Sequence, residues 1–183
     1  MRKLICLLLL AAVFYPAQSQ LEILKMVGKN SKQNSIGYGL FGNYDVPLNE
    51  TGNKSLMIEL LDLAFFPGKE IDDAGNEIAR GYISVKLGYR KIFSEESKTG
   101  FFVEPQLGYC RVVVVDDRLP DATYGDGFAA AIETGYSLEV GQSGNAFLFG
   151  LKYESDMAGS EHTMQAIGFR VSFSFSFLRR KRE

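Results

Sequence analysis

From residue 20 onward, apolar and polar residues alternate with a period of two, the spacing that sends neighbouring side chains to opposite faces of a β-strand. The last segment carries the pattern most cleanly: Ile167, Phe169, Val171, Phe173, Phe175 and Phe177 interleave with Gly168, Arg170, Ser172, Ser174 and Ser176. Residues 100–109 repeat it, as do 83–90, 128–138, 146–154 and 36–46. Residues 55–66 are apolar on both faces, and 21–27 make a short further strand. No window carries a 3.6-residue apolar stripe with helix caps, so the pattern predicts eight strands and no long helix. Gly-Tyr pairs recur within strands (Gly88-Tyr89, Gly108-Tyr109, Gly135-Tyr136), and no Pro- or Ser-rich linker divides the series. A single all-β domain over 20–178 follows.

Eight consecutive strands that reverse at every connection bring both ends of the chain to one side. Connections 47–54, 94–99 and 141–144 then share that side, while 28–35, 67–76, 115–126 and 157–161 lie on the other. The two longest, 67–76 and 115–126, are both on the far side. Short periplasmic turns, longer outward loops and an even strand number are the habit of outer-membrane barrels. The expected fold is therefore an antiparallel, eight-stranded, up-and-down transmembrane β-barrel.

The first residues change what must be folded. Met1-Arg2-Lys3 precedes a stretch, 4–15, without a charge, and small residues follow at Ala17 and Ser19. A basic start, a short apolar core and small residues two apart make a cleaved secretory signal peptide over 1–19. The apolar stretch is too short for a membrane-spanning helix, which needs about 20 residues. Cleavage leaves Cys110 as the sole cysteine, so no internal disulfide holds the exported chain. A mean hydropathy of −0.04 argues against a helical membrane protein, and a formal charge of −2 gives no basic footprint for nucleic acid. Neither number bears on a barrel wall, where a lipid-facing apolar residue is averaged with a polar neighbour.

Aromatic residues gather towards strand ends. One band takes Tyr44, Tyr89, Phe93, Phe101, Tyr136, Phe147 and Phe173 to Phe177; the other takes Tyr38, Phe66, Tyr82, Tyr109, Phe128 and Tyr153. Two bands match the interfacial girdles of a membrane barrel. The run Gly100-Phe101-Phe102-Val103-Glu104-Pro105-Gln106-Leu107-Gly108-Tyr109 resembles a strand of small outer-membrane β-barrel proteins of Bacteroidota-type bacteria, of the OmpA/OmpX-like eight-stranded kind. The ending from Ala166 to Phe175 is similar to their terminal strand. That resemblance implies insertion by the barrel-assembly machinery through Ile167 to Phe177, a cell outer membrane location, and contact with outer-membrane lipid and lipopolysaccharide as a monomer. The chain departs from the family in continuing past Phe177 into a short basic tail, 179–183, and in placing Pro105 mid-strand, where a bulge is expected.

With the polar face turned inward, the lumen is expected to hold Glu59, Lys86, Arg90, Glu104, Glu133, Lys152, Glu154 and Arg170. Four acids meet four bases in a space that side chains alone fill, which makes a closed ionic plug and no porin-like channel. Inward Gly39, Gly88, Gly108, Gly135, Gly150 and Gly168 leave room for the long side chains, and Cys110 is a small inward filler. Ser160-Glu161-His162 supplies the residue types of a hydrolytic triad. Consecutive strand residues point in alternate directions, so no enzymatic activity is expected. No cofactor or metal is expected either, since Asp72, Asp73, Asp116 and Asp117 lack the spacing of a calcium loop. Three readings stay open: a barrel acting structurally or through its outer loops, a lipid-modifying barrel enzyme of the lipid A acylhydrolase type, and an exported soluble β-sandwich or lipocalin-like binder with aromatics inside.

Overall fold

Alternation becomes a closed wall in the computed structural model, which describes residues 18–28, 31–69, 74–95, 97–141, 145–159 and 162–174. Eight antiparallel strands follow in chain order: β1 (Gln18–Met26), β2 (Ile36–Pro47), β3 (Lys54–Phe66), β4 (Ile78–Ile92), β5 (Gly100–Asp116), β6 (Thr123–Val140), β7 (Asn145–Met157) and β8 (Met164–Ser174). Each pairs with the next, and β8 closes on β1 through Leu21 opposite Val171 and Met26 opposite Ala166. The short strand at the start of the chain is thus the closing staple. The proposed signal peptide lies outside the described residues apart from Gln18 and Ser19, which pair with Asn43 and Gly42. Phe175 to Phe177 and the basic tail also lie outside them.

Burial runs opposite to that of a water-soluble domain. Leu21, Tyr38, Leu107, Phe128, Leu151 and Phe169 stand exposed on the outer wall, whereas Glu59, Lys86, Glu104, Lys152 and Arg170 are buried inside. A closed ring has no free sheet edge, and its outer face needs no aqueous partner if hydrocarbon surrounds it. A single closed ring is not a sandwich, and its outward face is apolar where that of a water-soluble barrel is polar. The outward aromatics form two bands, Tyr44, Tyr89, Phe93, Phe101, Tyr136 and Phe147 at one level and Tyr38, Phe65, Tyr109, Phe128 and Tyr153 at the other. Phe66 and Tyr82, expected in the second band, instead point inward and are 0% and 3% exposed.

The strand irregularity is in β3, not at Pro105. Along β3 the register slips between Glu59 and Asp62 against β4, and opposite Gly42 and Asn43 against β2. One extra residue in β3 explains why its apolar residues do not alternate. In β5, Gly88 opposite Gln106 and Lys91 opposite Val103 keep a single register, so Pro105 interrupts the β4 ladder without a bulge. Pro105 still pairs with Ile132 across the β6 side.

Half of the connection expected over 115–126 is strand. Only 117–122 separate β5 from β6, whose outer ends pair through Val114 opposite Thr123. Pairing between β6 and β7 stops at Phe128 opposite Met157, so the hairpin rises five residues, about 17 Å, above the β7 end. Gly125 and Gly127 let the β7–β8 connection lie against it: a Cβ on Gly127 would stand 1.9 Å from the Met157 carbonyl oxygen.

Candidate functional site

An eight-stranded barrel is just wide enough for side chains to fill, and inward positions here build distinct layers. Towards the loop end, Leu24, Met26, Phe66, Tyr82, Val112 and Met164 make an apolar layer in which Cys110 and several alanines are packed. Asn34, from the β1–β2 connection, closes over it: its Nδ2 donates to the Ile78 carbonyl at 2.7 Å, and its Oδ1 accepts from Arg80 Nη1 at 2.8 Å. Towards the end where β1 starts and β8 finishes, Ile92, Phe102, Ala146 and Leu148 form a second small apolar layer. Below it a vestibule of about 320 Å³ opens, bounded by Asp45, Arg90, Ser137 and Ser174.

Between these layers sits a network centred on Asp62. Its Oδ2 meets Lys86 Nζ at 2.6 Å, Lys152 Nζ at 2.8 Å and Arg170 Nη2 at 2.8 Å. Arg170 also reaches Glu22 at 2.6 Å, Glu59 at 2.8 Å and Glu133 at 3.4 Å, while its guanidinium lies 3.7 Å from the Phe41 ring centre. Lys86 contacts Glu59 at 3.0 Å and pairs with Glu154; Lys152 contacts Glu22 at 3.2 Å and also pairs with Glu154. Tyr82 joins the apolar layer to this one by donating its hydroxyl to Glu154 at 3.0 Å. A separate group lies nearer the start of β1 and the end of β8, where Arg90 Nε meets Glu104 at 2.5 Å and Nη1 meets Asp45 at 2.7 Å. Gln106 donates to Glu104 and Ser174 to Asp45.

All eight residues expected in the lumen are buried there, in two groups: six around Asp62, and Arg90 with Glu104. Equal charge does not hold. The central group sets Glu22, Glu59, Asp62, Glu133 and Glu154 against Lys86, Lys152 and Arg170, and the second sets Asp45 and Glu104 against Arg90. Carboxylates therefore outnumber cations in both, and each cation serves several of them. Three glycines make the space. Any Cβ on Gly39 would stand 2.3 Å from Glu22 Oε1, on Gly150 2.1 Å from Glu133 Oε1, and on Gly108 2.7 Å from Lys86 Cγ.

Asp62 escapes strict alternation because the β3 bulge moves it to the same face as Glu59, three residues away. Of the triad types, His162 Nε2 lies 3.1 Å from Thr123 Oγ1, and Ser160 and Glu161 lie outside the described residues. Asp116 is bound by Arg118, and Asp117 accepts from the Glu77 amide at 3.1 Å. Among the described residues no group of His, Cys, Asp and Glu has metal-holding geometry.

No family model and no curated protein matches the sequence. Solved structures do match in fold. Neisserial surface protein A aligns over 88% of this chain and 96% of its own, with TM-score 0.64 and 12% identity. Ail, the attachment invasion locus protein of Yersinia pestis, solved with the heparin analogue sucrose octasulfate, covers 87% of this chain and 97% of its own, with TM-score 0.50 and 14% identity. The chain has the closed, eight-stranded antiparallel fold of these outer-membrane β-barrels.

Proposed function

We propose that the chain is an exported, monomeric outer-membrane β-barrel of the small Bacteroidota-type kind, closed by its own side chains and acting structurally or through its extracellular connections. The observation that carries the reading is its reversed polarity: an apolar outer wall with two aromatic bands surrounds a buried ionic network. In a bilayer, the first satisfies lipid and the second has no lipid contact to lose. Residues 1–19 serve export, and the terminal strand addresses the insertion machinery. The lumen carries no sustained ion flow, because Lys86, Lys152 and Arg170 are each held by several carboxylates at its middle. No catalytic step is assigned, since His162 contacts a threonine hydroxyl at the loop end.

Cell fractionation tests the location: extraction only with detergent, together with heat-modifiable gel mobility, is expected, and recovery from a soluble periplasmic fraction defeats it. Planar-bilayer recording tests closure, where sustained large conductance from pure protein is the opposing result. Unchanged lipid A acyl patterns with and without the gene are expected by mass spectrometry.

A further inference from the structure

The vestibule at the end where β1 starts and β8 finishes is lined by polar groups that the rest of the lumen leaves unserved. Ser137, on β6, is 0% exposed, and its hydroxyl meets no hydrogen-bond partner. Asp45, on β2, uses only one oxygen. Its Oδ2 accepts from Arg90 Nη1 at 2.7 Å and from Ser174 Oγ at 3.1 Å, while Oδ1 is buried and unpartnered. Both residues line the same space. Buried polar atoms left unpaired cost free energy, so what enters the vestibule is expected to supply their partners.

Lys98, on the β4–β5 connection, brings a cation to the same lining. Its stem lies across the β2–β3 turn: a Cβ on Gly52 would stand 2.5 Å from Lys98 Cε, and Gly52 has φ of +66°. Glycine is thus required there twice, by the turn and by the lysine. The Lys98 amide donates to Glu139 at 3.2 Å, which ties the connection to β6. Ile92, Ala146 and Leu148, from the small apolar layer, form the floor.

Charge at this end is close to balanced. Asp45, Glu104 and Glu139 stand against Arg90 and Lys98. Among the described residues, Glu50, Lys54, Lys91 and Glu95 are exposed on the turns and the outer wall, outside the lining. Such a site has no large net charge with which to select a simple ion. It offers instead charges of both signs, a buried hydroxyl and an apolar floor in one pocket. Its volume of about 320 Å³ is at the small end of ligand pockets, which hold about 300–1,000 Å³. We infer that the vestibule binds a small zwitterion of dipeptide size. The ammonium meets Asp45 Oδ1 and the Ser137 hydroxyl, the carboxylate meets Lys98, and the apolar part rests on Ala146 and Leu148. Arg90, shared between Glu104 and Asp45, positions Asp45 for this contact. Under the outer-membrane reading the mouth faces the periplasm, but the binding itself does not depend on that reading.

The test uses the full mature chain folded in detergent micelles and titrated with three probes. Dialanine carries both charges, N-acetyldialanine lacks the ammonium, and dialanine amide lacks the carboxylate. Backbone amide shifts of Ser137 and Ser55, both in the lining, read occupancy by NMR. Saturable shifts are expected with dialanine. Either analogue should bind at least about tenfold more weakly, the factor for about 1.4 kcal/mol. Lys98→Met keeps the stem over Gly52 and removes the charge, so dialanine and its amide should then bind alike. Ser137→Ala should weaken dialanine about fivefold, the factor for about 1 kcal/mol. Shifts that do not saturate, meaning that water alone serves Asp45 and Ser137, would overturn the inference. So would an analogue that binds as tightly as dialanine, or a preference for the free carboxylate that survives Lys98→Met. Heat-modifiable mobility of each sample shows that the variants compared are folded barrels. Recovery of the protein from a soluble fraction would remove the membrane reading and leave this site standing.

Discussion

The outer apolar layer and the central ionic layer occupy the same lumen, on inward positions of the same eight strands, yet they are filled by opposite chemistry. Leu24, Met26, Phe66, Val112 and Met164 pack without direction; Asp62, Arg170, Lys86 and Lys152 are held by oriented contacts of 2.6–2.8 Å. Packing of the first kind tolerates changes of shape when volume is kept. Burial of the second kind tolerates almost none, because removing one partner strips its neighbours of oriented, charge-assisted contacts that no water replaces. The two layers should therefore respond differently to substitutions of equal size.

Asp62→Ala should show the largest effect. Three cations lose a shared oxygen, and destabilisation of about 3–5 kcal/mol is expected, read as the denaturant midpoint of the heat-modifiable, folded form in detergent. A midpoint unmoved by this change would mean that Asp62 is not the hub. Adding Lys152→Met to Asp62→Ala comes next. Loss of one of the three cations that share Asp62 should recover about 0.5–3 kcal/mol relative to the sum of the single changes, as expected for coupled neighbours. Strict additivity would deny that the network acts as a unit.

The contrast between layers also explains what sequence reading recovers. Period-two alternation marks the strands other than β3, whose sequence is apolar on both faces, and it places Lys86, Lys152 and Arg170 on the inward face. Tyr82 shares the parity of Ser84 and Lys86, so its inward position was legible, although aromatic clustering near strand ends pulls it towards a girdle. Asp62 and Phe66 were not legible by parity. The extra residue between Glu59 and Asp62 reverses the facing of all that follows in β3, and nothing in Leu60-Leu61 marks it. Glu22 is hidden differently, on a short strand whose ladder depends on closure with β8. Asp45 sits where β2 runs into its turn, beyond the cleanest alternation. The ionic hub therefore rests on one backbone irregularity and one long-range closure, neither of which is a local property.

Met164→Leu tests the tolerant side. Met164 is 1% exposed within the apolar layer, and a volume-conserving exchange there should cost less than about 1.5 kcal/mol by the same denaturant measurement. A cost equal to that of Asp62→Ala would erase the distinction between layers.

The smallest effect belongs to the same charge chemistry carried out at the open end of the barrel, where the Arg118 side chain is half exposed and that of Asp116 is 12% exposed. At the tip of β5, Arg118 donates to Asp116 through Nε at 2.8 Å and Nη2 at 2.6 Å, and the Arg118 amide adds a third contact at 3.0 Å. These hydrogen bonds favour the ionised carboxylate and hold its pKa down at about 2. A depressed folded-state value means that the contribution is fully present above the ordinary carboxylate range, near 4, and is lost as pH falls towards 2. The carboxyl carbon shift of Asp116 should accordingly titrate near 2, and Arg118→Ala should return its midpoint towards 4. Stability should scarcely change, since exposed pairs contribute little to it. Buried and exposed pairs of similar length would then differ in consequence because only the buried cations lack water when a partner is removed. A midpoint that stays low in Arg118→Ala would show that something other than the guanidinium and its turn holds the carboxylate ionised.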